Sequence, residues 1–280
     1  MKPHARDGVV MCRDALELAP IRTLLLDADG NLFPSEELAF VACTKVVNRM
    51  LAWLGASKRY EAEELRLATL GKNFRTTAAD LATAHGTPLE RGELEQWVVE
   101  EKRVVTEHLR GALSVDAGVV ASLTRLSDRF ELATVSSSAL SRLDACFGVT
   151  GLGELLSPDR RFSAEDSLSR PTSKPDPAIY TFAAERLGLE AHEGLAVEDS
   201  VTGAESAVAA GIPTVGNVCF VAPGERDARV AALEAAGVAA VVSSWSGLEC
   251  VLAGPVESAA GRAGQDSGMP PVTPMTSPLT

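Results

Sequence analysis

Short apolar runs alternate with amphipathic helical patterns over most of this chain. Three or four apolar or β-branched residues in succession are typical of strands that are buried on both faces. Such runs occur at residues 23–26, 132–135, 195–197, 213–215 and 239–242. Helical patterns lie between the runs at residues 116–128, 139–147, 177–187, 202–210 and 225–236. A strand followed by a crossover helix, repeated along the chain, predicts an α/β fold with a doubly wound, Rossmann-like parallel sheet.

Residues 36–110 interrupt this alternation, because they contain several amphipathic helical stretches and no convincing strand. The interruption follows directly after the first strand. We therefore expect a catalytic core built from residues 21–35 and 111–253, with an all-helical cap domain inserted at 36–110.

The two ends of the chain differ from the rest. Residues 1–20 carry no strong periodicity and are interpreted as an N-terminal extension. Residues 254–280 contain five prolines and no aromatic residue. Such a composition cannot bury enough apolar area to offset the entropy lost on ordering, so we expect a disordered tail.

The formal net charge of -12 argues against binding to nucleic acid or to an anionic membrane, since both repel an acidic surface. Five widely spaced cysteines without a CxxC pair suit neither a disulfide framework nor a zinc site. The N-terminal residues lack the apolar stretch of a secretory signal. These features together predict a cytoplasmic protein.

Two acidic residues, Asp27 and Asp29, follow the first apolar run and precede Gly30. Carboxylates at the end of a buried strand conflict with their surroundings, and such conflicts tend to mark functional sites. In an extended chain, residues i and i+2 project to the same face, so both carboxylates can address one ligand. Taken alone, the pattern is also typical of an Asp-Gly turn.

Two further polar features follow at loops. Ser136 and Ser137 end the second run ahead of a predicted helix, where hydroxyl and backbone N–H groups favour binding of a phosphate oxygen. A serine N-cap is the alternative interpretation. Lys174 lies before Pro175 and Pro177 and is a candidate fixed positive charge, although an isolated lysine is usually exposed.

Glu198 and Asp199 end the third run, where they suit a hard cation or, alternatively, the N-terminus of the following helix. The carboxyl ends of parallel strands meet at one sheet edge, so we expect all four features to converge. Buried carboxylates repel one another unless they are neutralised, which Mg²⁺ and Lys174 would do. The result is a slot suited to a phosphoryl group.

These features resemble the motifs of the haloacid dehalogenase superfamily, namely an aspartate pair, a strand-end serine or threonine, a lysine and a pair of acids. In this chain they stand, in that order, at Asp27-Ala28-Asp29-Gly30-Asn31, Ser136, Lys174 and Glu198-Asp199. The resemblance spans about residues 21–250. The stretches SKPDPAIYTFAAERLG and VEDSVTGAESAVAAGIPTV are similar to the subgroup with a helical cap after the first motif.

The resemblance implies a Mg²⁺-dependent phosphatase of a small phosphorylated metabolite. Asp27 would be the nucleophile that forms an aspartyl-phosphate, and Asp29 the general acid and base, a double role that favours a raised pKa. Lys174 would bridge Asp27 and the phosphate. Ser136 and the backbone N–H of Ser137 would bind phosphate oxygens.

The same resemblance implies the ligands of the magnesium ion. They would be the Asp27 carboxylate, the backbone carbonyl of Asp29 and Asp199, with Glu198 bound directly or through water. Asn31 departs from the usual threonine or valine, and we expect it to tune the site.

The cap would select the substrate. Lys72 and Arg75 lie where related caps place a specificity loop, although both suit an exposed turn equally well. Enzymes similar to β-phosphoglucomutase carry a histidine near the position of Ala39, so hydrolysis is favoured over a sugar phosphomutase activity. A non-catalytic relative that only binds a phospholigand is the other alternative. The substrate and the oligomeric state stay open.

Overall fold

A seven-stranded sheet forms the centre of the computed structural model, which describes residues 8–12, 16–69 and 73–253. In chain order the strands are β1 (Val9–Cys12), β2 (Thr23–Leu26), β3 (Glu131–Ser136), β4 (Arg161–Ser163), β5 (Gly194–Glu198), β6 (Thr214–Asn217) and β7 (Ala240–Val242). Their spatial order is β1-β7-β6-β5-β2-β3-β4. Strands β2 to β7 are mutually parallel, whereas β1 pairs antiparallel with β7 at one edge.

Helices flank this sheet and fill the segment between β2 and β3. Between those strands lie α1 (Ser35–Trp53), α2 (Ala62–Ala68), α3 (Phe74–Ala84), α4 (Arg91–Ala112) and α5 (Ala117–Ser127). The remaining helices are α6 (Leu140–Thr150), α7 (Ala178–Leu187), α8 (Val201–Ala209), α9 (Arg226–Ala235) and α10 (Trp245–Leu252). No helix in the described part of the chain is long and apolar enough to cross a membrane.

The central strand β2 explains why the functional residues meet. Its leucines are fully buried, because β3 and β5 flank it and helices cover both faces. Leu26 is in register with Thr134 and with Val197. The residues that follow these positions on the three strands therefore emerge level with one another at the carboxyl edge of the sheet.

The predicted α/β fold with a helical insertion is confirmed, with one correction: the sheet is mixed, because β1 runs antiparallel. Strand β1 lies inside the predicted extension at residues 1–20, and neither β1, β4 nor α10 was expected. Strands of three or four residues at a sheet edge are too short to show a period of two. The predicted tail at 254–280 lies outside the described residues.

Helices α1 to α4 stand where the sequence predicts the cap. Six buried residues form their own cluster, apart from the main core: Val47, Met50, Leu51, Leu65, Ala78 and Leu81. Two ion pairs join these helices to the rest of the chain, Arg66 with Glu225 at 2.9 Å and Lys102 with Glu165. The segment thus has a small core of its own and is tied across the top of the sheet.

The four cysteines whose side chains are described, Cys43, Cys146, Cys219 and Cys250, are free thiols. Cys146 is buried and Cys250 is exposed.

Candidate active site

A cavity of about 540 Å³ lies between the carboxyl edge of the sheet and the helices above it. Six of the residues that the sequence predicts for the site line it: Asp27, Asp29, Ser136, Ser137, Lys174 and Asp199. Glu198 lies below the cavity and is fully buried. Strand ends supply the floor, and α1, α3 and α4 supply the opposite wall.

Lys174 joins two carboxylates at the base of this cavity. Its Nζ lies 2.6 Å from Asp27 Oδ1 and 2.5 Å from Glu198 Oε1, and it also donates to the carbonyl of Val135 at 2.8 Å. Only 5% of its side chain is exposed, so this lysine is not the solvated surface residue of the alternative interpretation. The backbone N–H of Lys174 donates to Ser137 Oγ at 3.1 Å, which fixes the loop to the end of β3.

The pKa values of Lys174 and Asp27 show how much this arrangement depends on the lysine. Burial alone would lower the pKa of Lys174, but the Asp27 and Glu198 carboxylates outweigh it and hold that pKa above its usual value. Burial also raises the pKa of Asp27 to about 8; Lys174 opposes the rise and Glu198 adds to it. The lysine is therefore fully charged, while Asp27 lacks enough positive charge around it to ionise at low pH.

Three carboxylates lie close together, and Lys174 contacts two of them. One oxygen each from Asp27, Glu198 and Asp199 lie within 4.8 Å of one another. Burial, followed by repulsion from Asp27 and Glu198, raises the pKa of Asp199 well above its usual value. Glu198 Oε2 is buried and has no hydrogen-bond partner among the described residues. Oxygen donors with this excess of negative charge fit a hard divalent cation.

Asp29 sits apart from this group and has different partners. Its Oδ1 accepts a hydrogen bond from Ser35 at 2.5 Å, and its Oδ2 accepts one from Ser138 at 2.6 Å. The Arg142 guanidinium lies 3.5 Å away. Burial would raise the pKa of Asp29, but Arg142 and the two hydroxyls outweigh it, so the pKa is lowered. The expected raised pKa is therefore wrong for this structure. No sequence pattern indicates that Arg142 and Ser35, which help to lower this pKa, lie beside Asp29.

The serines after β3 face the cavity rather than cap the next helix. Ser136 is buried, and its Oγ accepts a hydrogen bond from the backbone N–H of Ser138 at 3.0 Å. Helix α6 begins instead with Asp166 accepting from the backbone N–H of Leu140 at 2.6 Å. Similarly, Ser200 caps α8, so Glu198 and Asp199 are not needed at that helix terminus.

Asn31 anchors the loop that carries Asp27 and Asp29. Its Nδ2 donates to the carbonyls of Asp27 at 2.9 Å and Val197 at 3.1 Å, and its Oδ1 accepts from Asn217 at 2.8 Å. These bonds tie the end of β2 to β5 and β6. Asn31 is fully buried, and its amide pairs with Asn217, a partner that no local sequence pattern indicates.

Other contributors to the site were not expected from the sequence. Tyr180 donates its hydroxyl to Glu198 Oε1 at 2.5 Å, yet it lies in an apolar helical pattern that resembles ordinary core. Arg229 donates to the carbonyl of Asp199 at 2.8 Å. Neither residue belongs to a recognisable local motif, so only the tertiary fold shows its place.

Two cap residues, Lys72 and Arg75, were predicted to contact the substrate, and the structure describes only Arg75. Lys72 lies outside the described residues. Arg75 pairs with Glu95 on the exposed side of the cap and does not line the cavity. The cap instead presents Phe40, Thr69 and Phe74 to the cavity, among other residues.

Two glycines allow the acids to approach the backbone closely. Gly30 has φ +79°, and a Cβ there would lie 2.3 Å from Asp199 Oδ2. A Cβ at Gly203, in the first turn of α8, would lie 1.8 Å from Glu198 Oε2. Any larger residue at either position must displace a carboxylate of the cluster.

We expect Gly203→Ala to lower the free energy of unfolding by about 1–3 kcal/mol, because the new methyl group overlaps Glu198 in a packed site. Denaturant unfolding of the metal-free protein measures this change. Gly111→Ala is the matched control: it lies in α4 with nothing within 4 Å, and a helical alanine there should stabilise. Equal stability of the two variants would contradict the close contact.

Comparison with known proteins adds independent information. Residues 21–211 match the sequence model of one family, described as haloacid dehalogenase-like hydrolase. The chain is 30% identical over 217 residues to protein CbbY of Cereibacter sphaeroides, covering 73% of this chain and 85% of that one. It is 25% identical over 196 residues to 6-phosphogluconate phosphatase of Escherichia coli K12, covering 70% and 81% respectively.

A solved structure is similar over nearly the same region. A HAD family hydrolase of Deinococcus radiodurans, crystallised with bound phosphate and sodium, superposes with a TM-score of 0.60 at 27% identity. The match covers 84% of this chain and 96% of that one.

Proposed function

The chain belongs to the haloacid dehalogenase-like hydrolases, and we propose that it is a phosphatase. It would hydrolyse a small phosphorylated metabolite through an aspartyl-phosphate on Asp27, with Mg²⁺ as cofactor. One observation carries this proposal: Lys174 Nζ lies between Asp27 and Glu198 at the floor of a cavity that Asp29 and Ser136 also line. The presence of both Asp27 and Asp29 argues against a relative that only binds a phospholigand.

Asp27 would attack phosphorus. Lys174 engages Oδ1, and no described residue donates a hydrogen bond to Oδ2, which leaves that oxygen for the nucleophilic step. Lys174 and the Ser136 and Ser137 groups bind the phosphoryl oxygens and hold the ester in line. The P–O bond to the leaving group breaks as the bond to Asp27 forms.

Asp29 acts as the general acid and then as the general base. It protonates the leaving oxygen in the first step and removes a proton from the attacking water in the second. Its lowered pKa shows that the substrate-free site holds it ionised, the form required for the second step. A bound phosphate ester adds negative charge beside Asp29, which raises its pKa and supplies the protonated form for the first step.

The carboxylate group supplies the proposed magnesium site. Asp27, Asp199 and the backbone carbonyl of Asp29 would hold the ion, with Glu198 as a direct or water-mediated ligand. When bound, Mg²⁺ would neutralise these carboxylates and withdraw charge from the phosphoryl oxygens.

The helices above the cavity are tied to the core by ion pairs, and one residue of α1 favours hydrolysis over phosphomutase activity. Ala39 lines the cavity near the place where the mutases carry a histidine, so the chain lacks that proton donor there.

The free cysteines are consistent with a cytoplasmic location.

Magnesium dependence is tested by phosphate release and by thermal unfolding. We expect hydrolysis of p-nitrophenyl phosphate with Mg²⁺ and its loss with excess chelator. Saturating Mg²⁺ should raise the melting temperature by about 5 °C or more at pH 8. Hydrolysis that is unchanged by chelator would contradict the proposal.

The pH dependence of the metal-free protein follows from Asp27. Its pKa is about 8 when folded and 3.8 as an isolated side chain, so between these values the folded state holds a proton that the unfolded state lacks. Raising the pH through that window therefore lowers stability in the absence of metal. The shift in melting temperature caused by Mg²⁺ should accordingly be larger at pH 8 than at pH 5.

A further inference from the structure

Arg142, in the first turn of α6, presents its guanidinium to the cavity, where it forms an ion pair with Asp29. Its Nε is buried and has no hydrogen-bond partner among the described residues. The contact with Asp29 Oδ1 is 3.5 Å, too long for a hydrogen bond. Buried donors are normally paired, so this group lacks an acceptor that a ligand can provide.

The position of Arg142 identifies which part of a substrate it would meet. The phosphoryl group is proposed to bind among Asp27, Ser136 and Lys174. Arg142 lies beside Asp29 instead, the residue proposed to protonate the leaving oxygen. A guanidinium next to that proton donor faces the atoms of the leaving group that lie closest to the ester.

The charges around the cavity limit what the leaving group can be. Glu36 and Glu101 also line it, and both disfavour a ligand with a large negative charge. Arg229 lines it too, but it donates to the carbonyl of Asp199 and so lies beside the proposed metal ligands rather than beside Asp29. One guanidinium beside Asp29, in a cavity that also holds two glutamates, matches a single carboxylate better than a second phosphate. The planar guanidinium also matches the two oxygens of a carboxylate in geometry.

We propose that Arg142 is a specificity-determining residue that binds a carboxylate of the leaving group, close to the phosphate ester. The natural substrate is then a phosphorylated hydroxy acid of low molecular weight. This inference rests on the proposed function, since it takes Asp27 and Asp29 to mark the two sides of the scissile bond.

A matched pair of esters tests the inference. 3-Phosphoglycerate and glycerol 3-phosphate differ in a carboxylate near the ester, which the second compound replaces with a hydroxymethyl group. With Mg²⁺ present, we expect kcat/KM to be about 10- to 100-fold higher for 3-phosphoglycerate. In Arg142→Met this preference should disappear, mainly through a higher KM for the acid. Arg125→Met, at an exposed arginine paired with Glu249, is the control and should keep the preference.

Binding separates this inference from the proposed function. The same two esters are titrated calorimetrically into Asp27→Asn and into the double variant with Arg142→Met, so turnover is not needed. Tighter binding of 3-phosphoglycerate that depends on Arg142 supports the inference, even if the wild type releases no phosphate. Equal binding of both esters, an equal loss for both on removing Arg142, or tighter binding of fructose 1,6-bisphosphate than of 3-phosphoglycerate would overturn it. Release of phosphate from p-nitrophenyl phosphate by the wild type reports on the proposed function alone.

Discussion

Asp27→Asn is expected to reduce Mg²⁺-dependent phosphate release by about 10⁴-fold or more. The amide cannot attack phosphorus, and removal of a nucleophile is among the most damaging changes that an enzyme can suffer. The fold should be retained, because asparagine has the shape of the protonated aspartic acid that the metal-free site favours. Lys174 keeps its contact with Glu198 at 2.5 Å.

The nucleophile assignment has a direct readout besides rate. Rapid acid quenching of the wild type with substrate, followed by peptide mass spectrometry, should show phosphate on the peptide that contains Asp27. Asp128→Asn, an exposed position after α5, serves as the matched control and should keep the activity of the wild type. Equal rates for Asp27→Asn and the wild type would refute the assignment.

The main strands were predictable because their physics is local. Strands β2, β3, β5, β6 and β7 are apolar runs between helices, and burial on both faces leaves little choice of residue. The convergence of Asp27, Ser136 and Asp199 was likewise predictable, because parallel strands place their carboxyl ends on one edge. Edge strand β1 was not, since four residues on an outer edge carry no comparable pattern.

What could not be predicted depends on contacts between distant segments. Asp29 was expected to have a raised pKa because of its proposed role. The pKa is lowered instead, mainly by Arg142, which lies 113 positions further along the chain. Tyr180 was indistinguishable from core until its hydroxyl was seen to meet Glu198. Asn31 has a partner in Asn217 that no local motif announces. Sequence motifs indicate the candidate catalytic residues, whereas the groups that shift their pKa values come from elsewhere in the fold.

Lys174→Met should be the most destabilising change in the site, lowering the free energy of unfolding by about 3–5 kcal/mol in metal-free buffer. It removes the one cation that contacts both Asp27 and Glu198, and leaves two buried carboxylates facing each other and Asp199. Lys45→Met, at an exposed lysine in α1, is the matched control and should unfold like the wild type.

The pH dependence of the loss of stability in Lys174→Met distinguishes an electrostatic role of the lysine from a packing role. Lys174 now lowers the pKa of Asp27, so without it that pKa rises further and the folded state holds its proton to higher pH. Holding a proton that the unfolded state releases means that stability falls as pH rises. Between pH 5 and pH 8 both folded proteins hold this proton, so the deficit should grow above pH 8, where the wild type releases it and the variant does not. Denaturant unfolding at pH 5 and pH 9 should therefore show a larger deficit at pH 9, and Mg²⁺ should recover part of it. A deficit equal at both pH values and unaffected by Mg²⁺ would mean that methionine merely fits the space poorly, and would remove the charge-neutralising role from Lys174.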